Sequence, residues 1–182
     1  SDLMFTAGLD TPGYAPAIPV GRVPVLTNEE VLSYLNKVKE YESADPELWQ
    51  KDFLHLGGGQ NITQNKLFAG YLSHYEKIEE GIYTGANVKT YLKSTPVTST
   101  NGLMGAIQDH INRGIGFLNY YGHGASEILE INFGRAAELE NKGKYPIMYY
   151  SGCTLGNSYD NKRSLGEEYL LTPEKGAIGW FA

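Results

Sequence analysis

Two short apolar segments, each leading to a reactive side chain, constrain the fold of this 182-residue chain more than any other feature. Residues 117–121 lead to His123, and residues 147–150 lead to Cys153, the only cysteine in the sequence. Glycine stands next to both reactive residues. Apolar runs that end at glycine are typical of buried parallel strands, and functional side chains gather beyond the carboxyl ends of such strands. The pattern therefore predicts neighbouring parallel strands that bring His123 and Cys153 to one edge of a sheet.

Helix and strand patterns alternate along the rest of the chain. Apolar periodicity and capping signals predict helices at residues 27–42, 64–80, 102–112 and 164–171, and a short helix near 135–141. Further strands are predicted at residues 49–56, 87–92 and 177–182, with at most a short strand near 18–25. In the first helix, Val31, Leu35 and Val38 are expected to face the core. The alternation predicts an α/β fold with a mainly parallel sheet covered by helices on both faces.

Composition and charge exclude several classes of function. The formal net charge is −6 and the sequence has no basic stripe, so a nucleic-acid partner is not expected. No apolar run approaches the ~20 residues of a membrane-spanning helix. A single cysteine allows no internal disulfide. His123 and Cys153 alone are too few ligands for a zinc site, so the residues predict no metal and no other cofactor.

The chain is expected to be a fragment of a larger protein with additional domains. It stops at Ala182, within an apolar segment that is typical of a core strand. The edge of the sheet is therefore expected to be incomplete. The first residues lack the charged and apolar regions of a signal peptide.

A cysteine beside a histidine is the minimal equipment of a cysteine nucleophile, because the imidazole takes the thiol proton. Each residue alone has a plainer interpretation, His123 as a turn residue and Cys153 as a small core residue. Their equivalent places after two strands favour a joint catalytic role. The backbone N–H groups of Gly124 and Cys153 would then stabilise the oxyanion of a tetrahedral intermediate. The other histidines are interpreted as structural or solvated: His55, His74 and His110.

Several blocks of the sequence resemble the gingipain family of cysteine peptidases, whose clan also contains caspases, legumain and clostripain. These blocks are residues 19–24 (PVGRVP), 118–124 (LNYYGHG), 148–153 (MYYSGC), 164–171 (SLGEEYLL) and 176–179 (GAIG). The resemblance covers nearly the whole chain, and the order and flanks of the two blocks that carry histidine and cysteine make it specific.

The resemblance implies a three-layer α/β/α sandwich of the caspase and gingipain type, with residues 1–182 as a catalytic domain. It implies His123 as the general acid and base, and Cys153 as the nucleophile that forms a thioester with a protein or peptide substrate. It also implies an extracellular or cell-surface location, after secretion by a Bacteroidetes-type bacterium through the type IX secretion system. Calcium is common in the family, although the sequence has no recognisable calcium-binding loop.

The resemblance leaves the reaction and some residue roles open. The family contains hydrolytic endopeptidases and the transpeptidase that acts as the sortase of that secretion system. A catalytically idle surface or adhesion module with the same fold is a third hypothesis. Family members often orient the histidine with a carboxylate, for which the candidates here are Asp45, Glu47 and Asp52. Gingipains hold a basic substrate side chain in an acidic pocket, but Glu167 is interpreted as a helix-capping residue and Glu168 as a solvated helix residue.

Overall fold

The computed structural model describes residues 2–9, 13–93, 100–125, 128–153, 155–157 and 162–182. Within them lie the α-helices α1 (Asn28–Ser43), α2 (Ile62–Glu79), α3 (Thr100–Arg113) and α4 (Leu165–Leu171). The strands are β1 (Asp52–Gly57), β2 (Asn87–Leu92), β3 (Phe117–Tyr121), β4 (Gly124–Ala125), β5 (Ile128–Leu129), β6 (Ile147–Ser151) and β7 (Gly179–Phe181). Short 3-10 helices cover Asp2–Phe5, Leu48–Lys51 and Ala136–Glu138. In the described part of the chain, no helix combines the length and apolar character needed to cross a bilayer.

Five of the strands form one parallel sheet in the order β2-β1-β3-β6-β7. β4 and β5 pair separately as a two-stranded antiparallel hairpin. The connection from β3 to β6 carries this hairpin and the 3-10 helix Ala136–Glu138. The prediction of an α/β fold with a mainly parallel sheet is confirmed, and β3 and β6 are neighbours in it.

One face of the sheet carries the hydrophobic core. Alternate residues of a strand point to the same face, and across β1, β3 and β6 they form two rows. The rows are Leu54, Leu118 and Met148, and Leu56, Tyr120 and Tyr150. α3 adds Ile107 and Ile111 to the same buried cluster, and α4 adds Leu165 and Tyr169. α3 and α4 therefore cover this face.

α2 covers the opposite face over β1 and β2. A Cβ on Gly57, at the end of β1, would lie 2.8 Å from a methyl carbon of Leu72 in α2. The buried His55 imidazole projects from the same face and pairs with Glu79 of α2 at 2.7 Å. With α2 on one side and α3 and α4 on the other, the chain has the three layers that were expected.

Residues 18–25 form no strand, in agreement with the prediction of at most a short one, and Pro19 and Pro24 have no N–H to donate to a ladder. Other local predictions are wrong. The strand predicted at 49–56 begins only at Asp52, after a 3-10 helix that buries Trp49. The helix predicted near 135–141 is a three-residue 3-10 helix. The hairpin of β4 and β5 was not predicted, because strands of two residues are too short to show an alternating apolar pattern.

The buried side of α1 also differs from the prediction. Val31 and Leu35 are 45% and 42% exposed, whereas Lys37 is buried. The Lys37 side-chain nitrogen lies 2.6 to 3.4 Å from four backbone carbonyl oxygens at and just beyond the C-terminal end of α4: those of Tyr169, Leu170, Thr172 and Lys175. The last carbonyls of a helix lack intrahelical partners, and a cation stabilises them. α1 therefore packs through an amine as well as through apolar contacts.

Candidate active site

The two predicted reactive residues follow neighbouring strands at equivalent positions. In the β3–β6 ladder Tyr121 pairs with Ser151, so His123 and Cys153 each stand two residues beyond a matched pair. The Gly122 N–H donates to the Ser151 carbonyl at 3.3 Å, which extends the contact past the strand ends. The structure thus confirms that both residues leave the sheet at the same carboxyl edge.

Glycine lets the two loops approach each other closely. A Cβ on Gly152 would lie 3.0 Å from the Gly122 carbonyl oxygen and 3.8 Å from the Gly124 nitrogen. A Cβ on Gly124 would lie 2.9 Å from a methyl carbon of the buried Leu155 side chain. A side chain at either position would therefore crowd the facing loop. The Gly124 amide, which the sequence predicts to bind an oxyanion, lies against the loop that carries Cys153.

The main chain of His123 is fixed by two hydrogen bonds to its carbonyl oxygen. The Tyr120 hydroxyl donates one, and the Glu130 N–H donates the other at 3.2 Å. Burial raises the pKa of Tyr120 to about 12, so this hydroxyl remains a donor at neutral pH. The Glu130 carboxylate pairs with Lys93 at 2.8 Å. The chain thus folds back through the hairpin of β4 and β5, and Glu130 after the hairpin hydrogen-bonds to His123 before it.

The His123 imidazole contacts α2 through Gln64, whose Oε1 lies 3.2 Å from Nε2 of the histidine. The same oxygen accepts the backbone N–H of Gln60 at 2.9 Å. The Asn61 side chain caps α2 by accepting the Gln64 N–H at 3.0 Å. Gln64 is therefore held at the first turn of the helix, with its amide oxygen directed towards the imidazole.

These contacts determine which imidazole nitrogen carries the proton. The Gln60 N–H requires an acceptor, so the atom that it contacts must be the amide oxygen of Gln64 and not the amide nitrogen. An oxygen that only accepts requires a donor at Nε2 of His123. In the neutral imidazole the lone pair then lies on Nδ1, which is the nitrogen available to take a proton.

Cys153 is a free and exposed thiol. Exposure suits a nucleophile that a large substrate must reach, whereas the plainer interpretation of a core residue requires burial. The interpretation of Cys153 as a small core residue is therefore wrong.

Sequence reasoning missed Gln64 because it searched only for carboxylates. Asp52 begins β1 and accepts from the Asn87 side chain at 2.8 Å, while Asp45 and Glu47 precede it. β1 then runs about 16 Å to the edge where His123 lies. None of the three carboxylates is placed to orient the imidazole. The available signal was the capping pattern of Asn61 with Gln64, which follows the glycines after β1.

The two acidic residues of α4 have structural contacts. Glu167 forms the predicted capping box, since its N–H donates to the Ser164 hydroxyl at 3.3 Å and its carboxylate accepts the Ser164 N–H at 2.7 Å. The prediction for Glu168 is wrong, because its carboxylate pairs with Arg135 and accepts the Ala136 N–H at 3.0 Å. Glu168 therefore ties the connection between β3 and β6 to α4.

An open cavity of about 570 Å³ lies beside the Cys153 loop. Its lining includes Gly156, Glu167 and Trp180, with part of the extended N-terminal segment. Among the described residues, no group of three or more histidine, cysteine, aspartate or glutamate side chains is arranged to hold a metal ion.

Comparisons with known proteins agree with this geometry. The model of peptidase family C25 matches residues 1–182. A solved structure described as a protease has a TM-score of 0.74 and 23% identity, and the match covers 99% of this chain and 39% of that one. The Arg-specific cysteine proteinase gingipain R (RgpB) has a TM-score of 0.65 and 18% identity, covering 98% of this chain and 42% of that one. The complex of Porphyromonas gingivalis RgpB pro- and mature domains has a TM-score of 0.63 and 18% identity, and the match covers 92% of this chain and 41% of that one.

The likeness to these solved structures, at such identities, shows the fold. The chain spans about two fifths of the length of the chains that it matches. None of the curated proteins compared with the chain matches it. The family model, by contrast, covers every residue from 1 to 182. This chain belongs to peptidase family C25.

Proposed function

We propose that this chain carries the catalytic residues of a cysteine peptidase, with Cys153 as the nucleophile and His123 as the general acid and base. The observation that carries the proposal is the matched position of these residues, two beyond the paired ends of β3 and β6. Membership of peptidase family C25 supports it. The family resemblance also supports a protein or peptide substrate and a site of action outside the cell or at its surface.

The first step forms the covalent bond. Nδ1 of His123 takes the Cys153 proton, and the thiolate attacks the carbonyl carbon of the substrate peptide bond. A C–S bond forms, and the carbonyl electron pair moves to oxygen. The N–H groups of Gly124 and Cys153 would stabilise that oxyanion, and the close approach of the two loops at Gly152 supports this role.

The second step releases the amine. The C–N bond breaks, the leaving nitrogen takes the proton from the His123 imidazolium, and a thioester on Cys153 remains. Water then gives a proton to the same imidazole and attacks the thioester carbonyl. The C–S bond breaks, the carboxylic acid leaves, and the thiolate takes the proton back from the imidazolium. Gln64 would keep the ring in place through these transfers, because its oxygen accepts a hydrogen bond from Nε2–H both in this neutral tautomer and in the imidazolium.

Alkylation by iodoacetamide tests whether the imidazole activates the thiol. A cysteine without a partner is only a few per cent thiolate at pH 7, so we expect His123→Ala to lower the alkylation rate of Cys153 by about tenfold at that pH. His74→Ala is the matched control, since it removes an exposed histidine from α2. Mass spectrometry of the intact chain measures the rate. Equal rates in the wild type and in His123→Ala would indicate an idle thiol and favour the hypothesis of a non-catalytic surface module.

A further inference from the structure

Aromatic side chains continue from the His123 imidazole along one face of the sheet. The Phe68 ring meets the imidazole edge-on with centroids 6.0 Å apart, and it lies 5.1 Å from the Tyr121 ring. The Tyr71 ring lies 5.2 Å from Tyr121. Tyr149 lies on the neighbouring strand, where it pairs with Asn119, two residues before Tyr121. We call Phe68, Tyr71, Tyr121 and Tyr149 the aromatic strip.

Helical spacing places half of the strip beside the group that holds His123. Gln64, Phe68 and Tyr71 are four and three residues apart, so they lie on one face of α2. The same face that supplies the hydrogen bond to the imidazole therefore also supplies the rings next to it.

Strand alternation places the other half of the strip along the two strands that carry the reactive residues. Tyr120 and Tyr150 are buried in the core, so Tyr121 and Tyr149 project from the opposite face. Tyr149 lies on β6, four residues before Cys153. When the carbonyl carbon of a substrate residue is bonded to the Cys153 sulfur, the side chain of that residue would thus be able to reach the strip.

Much of the strip is open to solvent. Tyr71 and Tyr149 are 42% and 45% exposed. Tyr149 also lines the cavity of about 570 Å³ beside the Cys153 loop, together with Trp180 and Phe181. Contiguous exposed apolar surface marks an interaction site, and a cavity of this size has room for a side chain.

The strip offers rings and hydroxyl groups without charge. Burial raises the pKa of Tyr121, and neighbouring tyrosine hydroxyls raise it further, so this hydroxyl stays neutral. The Glu130 carboxylate, just after the hairpin that follows His123, is paired with Lys93. The Glu167 carboxylate, which lines the same cavity as Tyr149, accepts the Ser164 N–H in the capping box of α4. An aromatic side chain would gain ring contacts on the strip. A guanidinium or ammonium group would lose its water there without a carboxylate of the strip to pair with.

We propose that the aromatic strip holds the substrate side chain on the acyl side of the cleaved bond and selects aromatic or large aliphatic residues over arginine and lysine. This inference rests on the proposed peptidase function. It adds a substrate class to that function and assigns the selection to residues outside the pair that performs the chemistry.

Three peptidyl chloromethyl ketones that differ only in the last residue, phenylalanine, arginine or alanine, test the inference on the full chain. The Cys153 sulfur displaces chloride and forms a C–S bond at the methylene carbon, so intact-mass spectrometry gives each rate constant. We expect the phenylalanine reagent to react at least about tenfold faster than the arginine reagent, and faster than the alanine reagent. In Tyr149→Ala, the ratio of the phenylalanine to the arginine rate constant should fall by about threefold to tenfold. Tyr83→Ala, which removes a fully exposed tyrosine after α2, should leave the ratio unchanged.

An arginine reagent that reacts as fast as the phenylalanine reagent would overturn the inference. So would a phenylalanine preference that persists in both Tyr149→Ala and Tyr71→Ala. Iodoacetamide separates this failure from a failure of the proposed function, because it carries no substrate side chain. Alkylation that depends on His123, without a preference among the ketones, refutes only the role of the strip. Alkylation that is independent of His123 and shows no preference refutes both.

Discussion

Cys153→Ala should lower the rate of peptide cleavage by at least about a thousandfold, because loss of the nucleophile leaves only binding and oxyanion stabilisation. The side chain is exposed, so the variant should unfold at the same temperature as the wild type. The measurement is turnover of a mixed library of fluorogenic peptides by the purified chain. The library is needed because the preferred substrate residue is itself a prediction.

Turnover that persists at the wild-type rate in Cys153→Ala would contradict the assignment of the nucleophile. It would indicate either another reactive group or a contaminating protease. Size-exclusion chromatography of the variant distinguishes these explanations. Activity from another group of the chain elutes with the chain, whereas the activity of a contaminant elutes separately.

Gln64→Ala should lower kcat by up to about a hundredfold, because an imidazole that is free to rotate loses the alignment that proton transfer requires. KM should change little, since Gln64 contacts the histidine and the helix cap rather than the substrate. Gln64→Glu, which keeps an acceptor oxygen at the same reach, should recover most of the lost rate. The kinetic constants and the pH profile of kcat are the measurements.

Thr63→Ala is the control for this series, because it removes an exposed side chain from the same turn of α2 without removing a contact to His123. A merely structural role for Gln64 would lower the unfolding temperature and leave kcat unchanged. Equal kcat values in Gln64→Ala and Thr63→Ala would rule out a positioning role.

The sequence was sufficient to predict the parts of the site that depend on strands. β3 and β6 are short apolar runs that end at glycine, and their register follows from parallel pairing. His123 and Cys153 were therefore placed correctly without any knowledge of distances. The capping box of Ser164 with Glu167 was predictable for a similar reason, since a cap is a local pattern with a direct mechanical cause.

The parts of the fold that depend on contacts between distant segments were not predictable. Lys37 is buried because α1 crosses the end of α4, which lies more than a hundred residues further along the chain. Gln64 contacts His123 across 59 residues. Neither contact leaves a periodic trace in the sequence, and a glutamine draws less attention than a carboxylate. Such contacts become visible only once the helices are docked on the sheet.

Trapping of the acyl-enzyme tests the central claim most directly. The chain is mixed with a peptide ester, whose leaving group departs more readily than an amine, and the reaction is quenched in acid within the first turnover. Intact-mass spectrometry and digestion then locate any added group. The account predicts an adduct with the mass of the acyl portion, attached to Cys153 and released by hydroxylamine as a thioester should be. It also predicts that the adduct is absent from Cys153→Ala and forms more slowly in His123→Ala. An adduct on another residue, or peptide cleavage that proceeds without any adduct on Cys153, would contradict it.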